Sequence, residues 1–216
     1  MIKENDNNQD MKDKSEIDIK NKDSYHHGDL RESMIRMGAK LLAEDGTEKF
    51  SLRKLATMCN VSHAAPYKHF KNKEELIEAI KEYIDKEFAD ALREVTEKYK
   101  DNPIKKITEL GKRYVSFMVE NKDYLKLLFL NSNKYNVKVS INDIENYNYE
   151  PFRIFKDNAL EALKFANADP AEYGKSILAM WATVHGLAVM ISNSTIFYDG
   201  DYLDLVEQIL TSNVRF

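Results

Sequence analysis

The chain of 216 residues is poor in the residues that interrupt regular structure. Seven glycines and four prolines are too few for the many turns of a strand-rich architecture, and helix formers dominate instead. A single cysteine, Cys59, excludes an internal disulfide framework and any zinc site built from several thiolates. It fits a reducing compartment, and a cytoplasmic location is expected. The polar opening "MIKENDNNQDMKDKSEIDIKNKD" has no apolar core and does not read as a secretory signal. The most apolar stretch, "ILAMWATVHGLAVMI" from Ile177 to Ile191, is shorter than the roughly 18 residues of a membrane span. It carries His185 in its middle and is expected to be a buried helix, with no membrane partner. Also missing are a phosphate-cradling glycine loop, a His-Glu-x-x-His pair and a nucleophile elbow. No enzymatic activity, cofactor or metal is therefore expected.

What is present is an uneven distribution of charge. The formal net charge is −4, which does not suggest a nucleic-acid partner. Yet Lys49, Arg53, Lys54, Lys68, Lys71 and Lys73 lie in one window from residue 49 to 73 that contains no Asp or Glu. A basic island in an acidic protein is the electrostatic footprint of a phosphate partner, although charge runs are more often only a solvated face.

Residues 1–24 are rich in Asn, Asp and Lys and read as a disordered tail. A first helix is expected from near Asp29 to Glu44, with Leu30, Met34, Leu41 and Leu42 on one face and Gly46 as its stop. Ser51 is placed to cap a second, short helix, with Phe50 and Leu55 as a hydrophobic staple. Ser62 is placed to cap a third, which ends near Phe70 and has Pro66 at its fourth position, where proline sacrifices little more than the first hydrogen bond. Asn72 with Glu75 forms a capping-box pattern ahead of a fourth helix running towards Tyr99. Asn102 and Pro103 open a fifth, and Asp169 with Pro170 opens a later one. The Asn-rich segment around residues 131–149 reads as loop. No strand is expected, and the helix count is nine: the chain is all-α.

Two short helices joined by "CNV", with one helix before and a long one after, form the helix-turn-helix arrangement at about residues 51–70. The small and polar residues His63, Ala64 and Ala65 suit a helix end that must approach base edges. Tyr67, Lys68, His69 and Lys73 offer donors to phosphates. The stretch "FSLRKLATMCNVSHAAPYKHFKNKEELIEAI" resembles the DNA-binding signature of the TetR family of bacterial transcriptional regulators, over about residues 28–88. "MWATVHG", from Met180 to Gly186, resembles a Trp-His-Gly element found in some relatives. The resemblance implies an N-terminal three-helix DNA-binding domain joined by a long helix to a ligand-binding and dimerisation domain over residues 89–216. It implies that Ser51 and Arg53 touch phosphate and often a base edge, that Ser62 to Ala65 form the reading edge, and that Tyr67, His69 and Lys73 contact the DNA backbone. It further implies a homodimer built on the last two helices, a near-palindromic double-stranded operator and a small ligand. Half-sites should then lie roughly 34 Å, or a multiple of it, apart.

No motif marks the ligand pocket. Phe117, Tyr124, Phe152, Trp181 and His185 are the candidate lining for an apolar or aromatic molecule, and most could equally be core. Trp181 and His185 stand four residues apart and share a helix face. Ala182 and Gly186 do likewise and suit a dimer seam or a close core packing equally. His26 and His27 read as lead-in to the first helix, because adjacent residues diverge on a helix and no third ligand is at hand. Two other readings stay open: a DNA-binding protein with no ligand, and a ligand- or partner-binding module that does not bind DNA. If the protein is instead a ligand-responsive regulator, a ligand that tilts the far end of the fourth helix would change operator affinity.

Overall fold

All four prolines stand at the first or second position of a helical segment: Pro66 and Pro170 in 3₁₀ turns, Pro103 and Pro151 in α-helices. A proline there gives up an N–H that has no intrahelical partner. The computed structural model describes residues 10–130, 138–139, 144–145 and 149–213, with side chains described from Leu30 to Leu128 and from Tyr149 to Ser212. Over these residues the fold is all-α. It comprises α1 (Asp10–Lys49), α2 (Leu52–Met58), α3 (Lys73–Lys98), α4 (Pro103–Glu120), α5 (Lys122–Leu125), α6 (Glu150–Phe165), α7 (Tyr173–Ser192) and α8 (Tyr202–Asn213). A π turn, Lys126–Leu130, follows α5. The described α-helices number eight rather than nine because the second helix of the helix-turn-helix is a 3₁₀ turn, Pro66–Lys68.

Two further departures from expectation are local. The Asn-rich segment expected as loop holds a two-residue antiparallel ladder, β1 (Lys138–Val139) with β2 (Ile144–Glu145), in which Val139 faces Ile144 across the pair. It is too short to form a layer. Helix α1 begins at Asp10 rather than near Asp29, so the backbone of residues 10–24, expected as disordered, is helical. Extending a formed helix costs far less than nucleating one, and lysine is a good helix former. Residues 1–9 and the side chains of His26 and His27 lie outside the described residues.

The chain divides into two units, residues 1–80 and 81–216, and the boundary falls inside α3. In the first, Met34, Leu41 and Leu42 of α1, Leu52 and Leu55 of α2, Phe70, and Leu76 and Ile80 of α3 form the core. Gly38 lets α1 and α3 approach closely: a Cβ there would come within 2.8 Å of Ile80 Cδ1. In the second, α4 packs against α6, α7 and α8 and buries Ile107, Leu110, Tyr114, Val115 and Met118. Buried Lys106 of α4 is neutralised by Glu161 of α6 at 2.8 Å. By length and composition, Pro170–Ser192 is the one described segment able to cross a membrane. Here it packs through Ile177, Met180, Val184 and Leu187, while Leu178, Ala182 and Met190 stay exposed, so it is not buried all round.

Helix ends follow the sequence closely. Ser51 Oγ accepts from Lys54 N at 3.2 Å. Asn72 Oδ1 accepts from Glu75 N at 2.8 Å, and Glu75 Oε2 accepts from Lys71 N at 2.7 Å, a reciprocal box displaced by one residue at its return bond. Asn102 accepts from Lys105 N at 3.0 Å. Gly46, at φ +73°, breaks α1 near its end. Replacing Asn72 with alanine removes one of these caps, and a loss of about 1 kcal/mol of stability is expected from urea unfolding. An unchanged midpoint would show that the box does not hold α3's first turn.

Candidate nucleic-acid interface and ligand site

The missing N–H of Pro66 shapes the tip of the helix-turn-helix. In an α-helix capped by Ser62, residue 66 would donate to the Ser62 carbonyl; proline cannot. That carbonyl instead accepts from Ala65 N at 2.9 Å, and the next bonds, Lys68 N to Ala65 O and His69 N to Pro66 O, keep the tighter 3₁₀ pattern. The cap of the turn is Ala65, with no side-chain hydrogen bond, so Ser62 does not act as the expected N-cap and Pro66 sits at the start of the turn rather than in its fourth place. Pro66 is buried. Buried between exposed neighbours, it anchors the segment while Ser62, His63, Ala64, Tyr67 and Lys68 project to solvent. Ala65, His69, Ser51 and Lys73 are half-buried, and Arg53 is exposed. Every expected DNA-facing residue thus keeps accessible surface on one helix-turn-helix.

The turn between α2 and this segment is closed without glycine. Asn60 takes the left-handed conformation at φ 55°, with Asn60 N donating to Thr57 O and Val61 N to Ala56 O. This is the Schellman pattern, with asparagine tolerating positive φ. Asn167 and Ser194 end α6 and α7 in the same way. Cys59 is half-buried; burial raises its thiol pKa, and its sulfur lies 3.6 Å from Met37 Sδ.

Two lysines of the basic island are engaged by the segment that ends α1. Lys73 Nζ donates to the Thr47 carbonyl. Lys54 Nζ pairs with Asp45 Oδ2 at 2.6 Å. Sequence reasoning could not see either contact, because both partners, Asp45 and Thr47, lie outside the acid-free window, on either side of Gly46.

In the second unit, the candidate ligand residues belong to a continuous aromatic chain. Trp181 stacks edge-on with Phe152 at 5.0 Å and Phe155 at 5.2 Å, and with Tyr114 at 4.9 Å. Tyr114 meets Phe88 at 5.0 Å, Phe88 stacks on Phe117 at 5.0 Å, and Phe117 reaches Tyr124 at 6.2 Å. Phe88 and Tyr114, which the sequence reading did not select, are the links that bring the other residues together; both are fully buried. The Tyr114 hydroxyl and His185 Nδ1 share a hydrogen bond of 2.9 Å. Burial pushes the Tyr114 phenol far above its usual range and lowers the His185 imidazole.

These rings pack directly on one another. A small apolar cleft beside them, lined by Ile107, Thr108, Gly111, Phe155, Met180, Val184 and Leu210, has a free volume of about 10 Å³, enough for one water at most. Phe117, Tyr124, Phe152, Trp181 and His185 do not line it. A groove of about 290 Å³ between α3, α4 and the start of α8 is more open, with Glu94, Lys98, Glu109, Lys112 and Arg113 placing charge along it.

Residues 35–80 match the family model described as bacterial regulatory proteins, tetR family. The chain therefore carries a TetR-family N-terminal domain. Sequence comparison with curated proteins gives no match. Among solved structures, it is similar to a protein of unknown function from Rhodococcus sp. RHA1, with 25% identity, a TM-score of 0.68, and 88% of this chain and 95% of that one covered. It is similar in fold to FadR from Bacillus subtilis in complex with stearoyl-CoA, at 14% identity and a TM-score of 0.62 over 85% of this chain and 98% of that one. AibR, in complex with isovaleryl coenzyme A and operator DNA, matches at 16% identity and a TM-score of 0.59 over 86% and 97%. The fold is that of the TetR-type regulators.

The half-buried imidazole gives a pH signature. With His185 held below the ordinary histidine value of about 6.5, the unfolded chain takes up a proton that the folded chain refuses. Stability should therefore fall as pH drops through about 6.5, and the loss should level off once the folded imidazole protonates. In His185→Gln the melting temperature should decline less between neutral and mildly acidic pH. Parallel curves for the two proteins would remove His185 from that account.

Proposed function

We propose that the protein is a sequence-specific DNA-binding transcriptional regulator, acting as a repressor that a small apolar ligand releases from its operator. The observation that carries the DNA-binding reading is the helix-turn-helix tip itself. Ser62, His63, Ala64, Tyr67 and Lys68 stand exposed around buried Pro66, within a window free of acidic residues. Small residues at the tip admit close approach to base edges, and the surrounding cations and hydroxyls suit phosphates. Lys73 belongs to the phosphate set as well: an ammonium has three donors, and the carbonyl of Thr47 occupies one without cancelling the charge.

A dimer is part of this proposal. Leu178, Ala182 and Met190 form an exposed apolar stripe on α7. Gly186, on the same stretch, has no atom within 4 Å of where a Cβ would stand. Open space at a small residue on an apolar stripe favours the seam over the core packing that the sequence left equally open. For the ligand, two proteins of the same fold are named with acyl-CoA partners. The aromatic chain around Trp181 is apolar enough to host an acyl tail if it opens, and long-chain and short branched acyl-CoAs are the first compounds to test. A second reading is a DNA-binding protein that responds to no ligand; the described apolar cleft between α4, α6, α7 and α8 measures only about 10 Å³.

Three measurements decide among these. Lys68→Ala should weaken binding to all duplexes alike and make the salt slope shallower by about 0.9, whereas His63→Ala or Arg53→Ala should change base preference by about 1–3 kcal/mol per lost contact. A changed base preference in Lys68→Ala, with the salt slope intact, would contradict the phosphate assignment. Gly186→Arg should leave helicity unchanged, yield monomers in sedimentation and reduce operator affinity; a dimer that persists would move the seam elsewhere. Trp181→Phe should alter the acyl-CoA response in fluorescence anisotropy while leaving ligand-free operator binding near normal. If acyl-CoAs shift neither melting nor operator binding of the unaltered protein, they are not its ligands. The same silence from a broader set of apolar metabolites would favour the ligand-free reading.

A further inference from the structure

Asp45 is the last helical residue before the break in α1 at Gly46. A carboxylate is poorly placed there, because the carbonyl end of a helix already carries partial negative charge. Its side chain is also largely enclosed, at 19% relative exposure, against 50% for Lys54. The Lys54 ammonium lies 2.6 Å from Asp45 Oδ2. Exposed ion pairs contribute little, but this one differs in what its rupture would leave: an enclosed carboxylate at a helix C-terminus with no counter-charge. Lys54 is thereby held more firmly than an ordinary surface lysine.

Lys73 offers a comparison within the same unit. Its partner, the Thr47 carbonyl, is neutral, so Lys73 keeps its full charge for a phosphate. The partner of Lys54 is an anion that cancels it. What the DNA backbone responds to is charge, through the counterions it releases, and not the number of donors. The two lysines look equivalent in the sequence and are not equivalent here.

We infer that Asp45 is an internal counter-ion that withholds Lys54 from the DNA backbone, so that Lys54 does not belong to the phosphate-contacting set and Asp45 sets the sequence-independent part of the affinity. This rests on the DNA-binding reading above. Asp45 is a positioning residue: it touches no DNA and acts through Lys54 alone.

The test is the salt dependence of binding by the full-length protein to its operator and to an unrelated duplex, for Lys54→Ala, Asp45→Asn and the double variant. Lys54→Ala should leave the slope of log affinity against log salt as it is in the unaltered protein. Asp45→Asn should steepen it by about 0.9 and raise affinity for both duplexes alike, on the order of fivefold near 0.1 M salt. The double variant should return to the original slope, because the freed cation is then gone. A slope made shallower by about 0.9 in Lys54→Ala would overturn the inference, as would an unchanged slope in a folded Asp45→Asn. Should Asp45→Asn fail to fold, the Lys54→Ala slope decides by itself. If the unaltered protein binds neither duplex at low salt, the DNA-binding reading falls and takes this inference with it; binding with the wrong Lys54→Ala slope sinks the inference alone.

Discussion

Each α-helix leaves its first four N–H groups and last four carbonyls without partners inside the helix, and the eight described α-helices must settle them repeatedly. This one does so with few glycines and prolines, and much of its functional geometry follows from how. Ser51, Asn72, Asn102 and Asp169 accept from the backbone at the starts. Asn60, Asn167 and Ser194 take positive φ at the ends. Lys73 donates to Thr47 just beyond the break in α1, so a residue of the proposed DNA-binding face also satisfies backbone at a helix terminus. The settlement at Ser62 is the most consequential: with proline four residues on, the carbonyl turns to Ala65, and the tip of the helix-turn-helix is a blunt turn rather than a rod.

The second unit answers a different demand, that of filling a core with large rings. Tyr114 is its hinge point. It is fully buried on α4 and touches Phe88, Trp181 and His185. Its hydroxyl would be costly to bury unpaired, and the imidazole of His185 provides the partner. Charge is handled at the periphery. Arg93 of α3 pairs with Glu150 of α6 at 2.5 Å, and this contact holds the Glu150 carboxyl below its usual range. Lys112 of α4 is bonded to Glu207 of α8, which raises the lysine pKa. Helices from distant parts of the chain are thereby joined by rings inside and by ions outside.

What could be read in advance was whatever lies close in sequence. The caps at Ser51, Asn72 and Asn102 are three-residue patterns and are present in the structure, as is the apolar face of α1 through Met34, Leu41 and Leu42. The helix-turn-helix that carries Ser62, His63, Ala64, Tyr67 and Lys68 was legible because its signature is local. Pro66 was legible as an early-helix proline, but not as one that removes the α-helical turn, since that outcome depends on how the Ser62 carbonyl is satisfied. Long-range partners were out of reach. Nothing near Lys54 points to Asp45, nine residues earlier and across a helix break, and nothing near His185 points to Tyr114, which precedes it by 71 residues. The aromatic residues were selected by type, and Tyr114 was passed over although it links them, because a tyrosine on a well-patterned helix face reads as ordinary core.

The solitary tryptophan has a spectroscopic consequence. Trp181 lies in the second unit, ringed by Tyr114, Tyr149, Phe152 and Phe155 and half accessible to solvent. Red-edge excitation selects indole over phenol, so the emission of the unlabelled protein carries information from one unit only. At shorter wavelengths nearby tyrosines can feed it by energy transfer, whereas at the red edge the helix-turn-helix stays dark. A change in colour or quenching can therefore be assigned to the aromatic chain without a dye. Unfolding followed by fluorescence and by circular dichroism would superimpose only if the two units melt together.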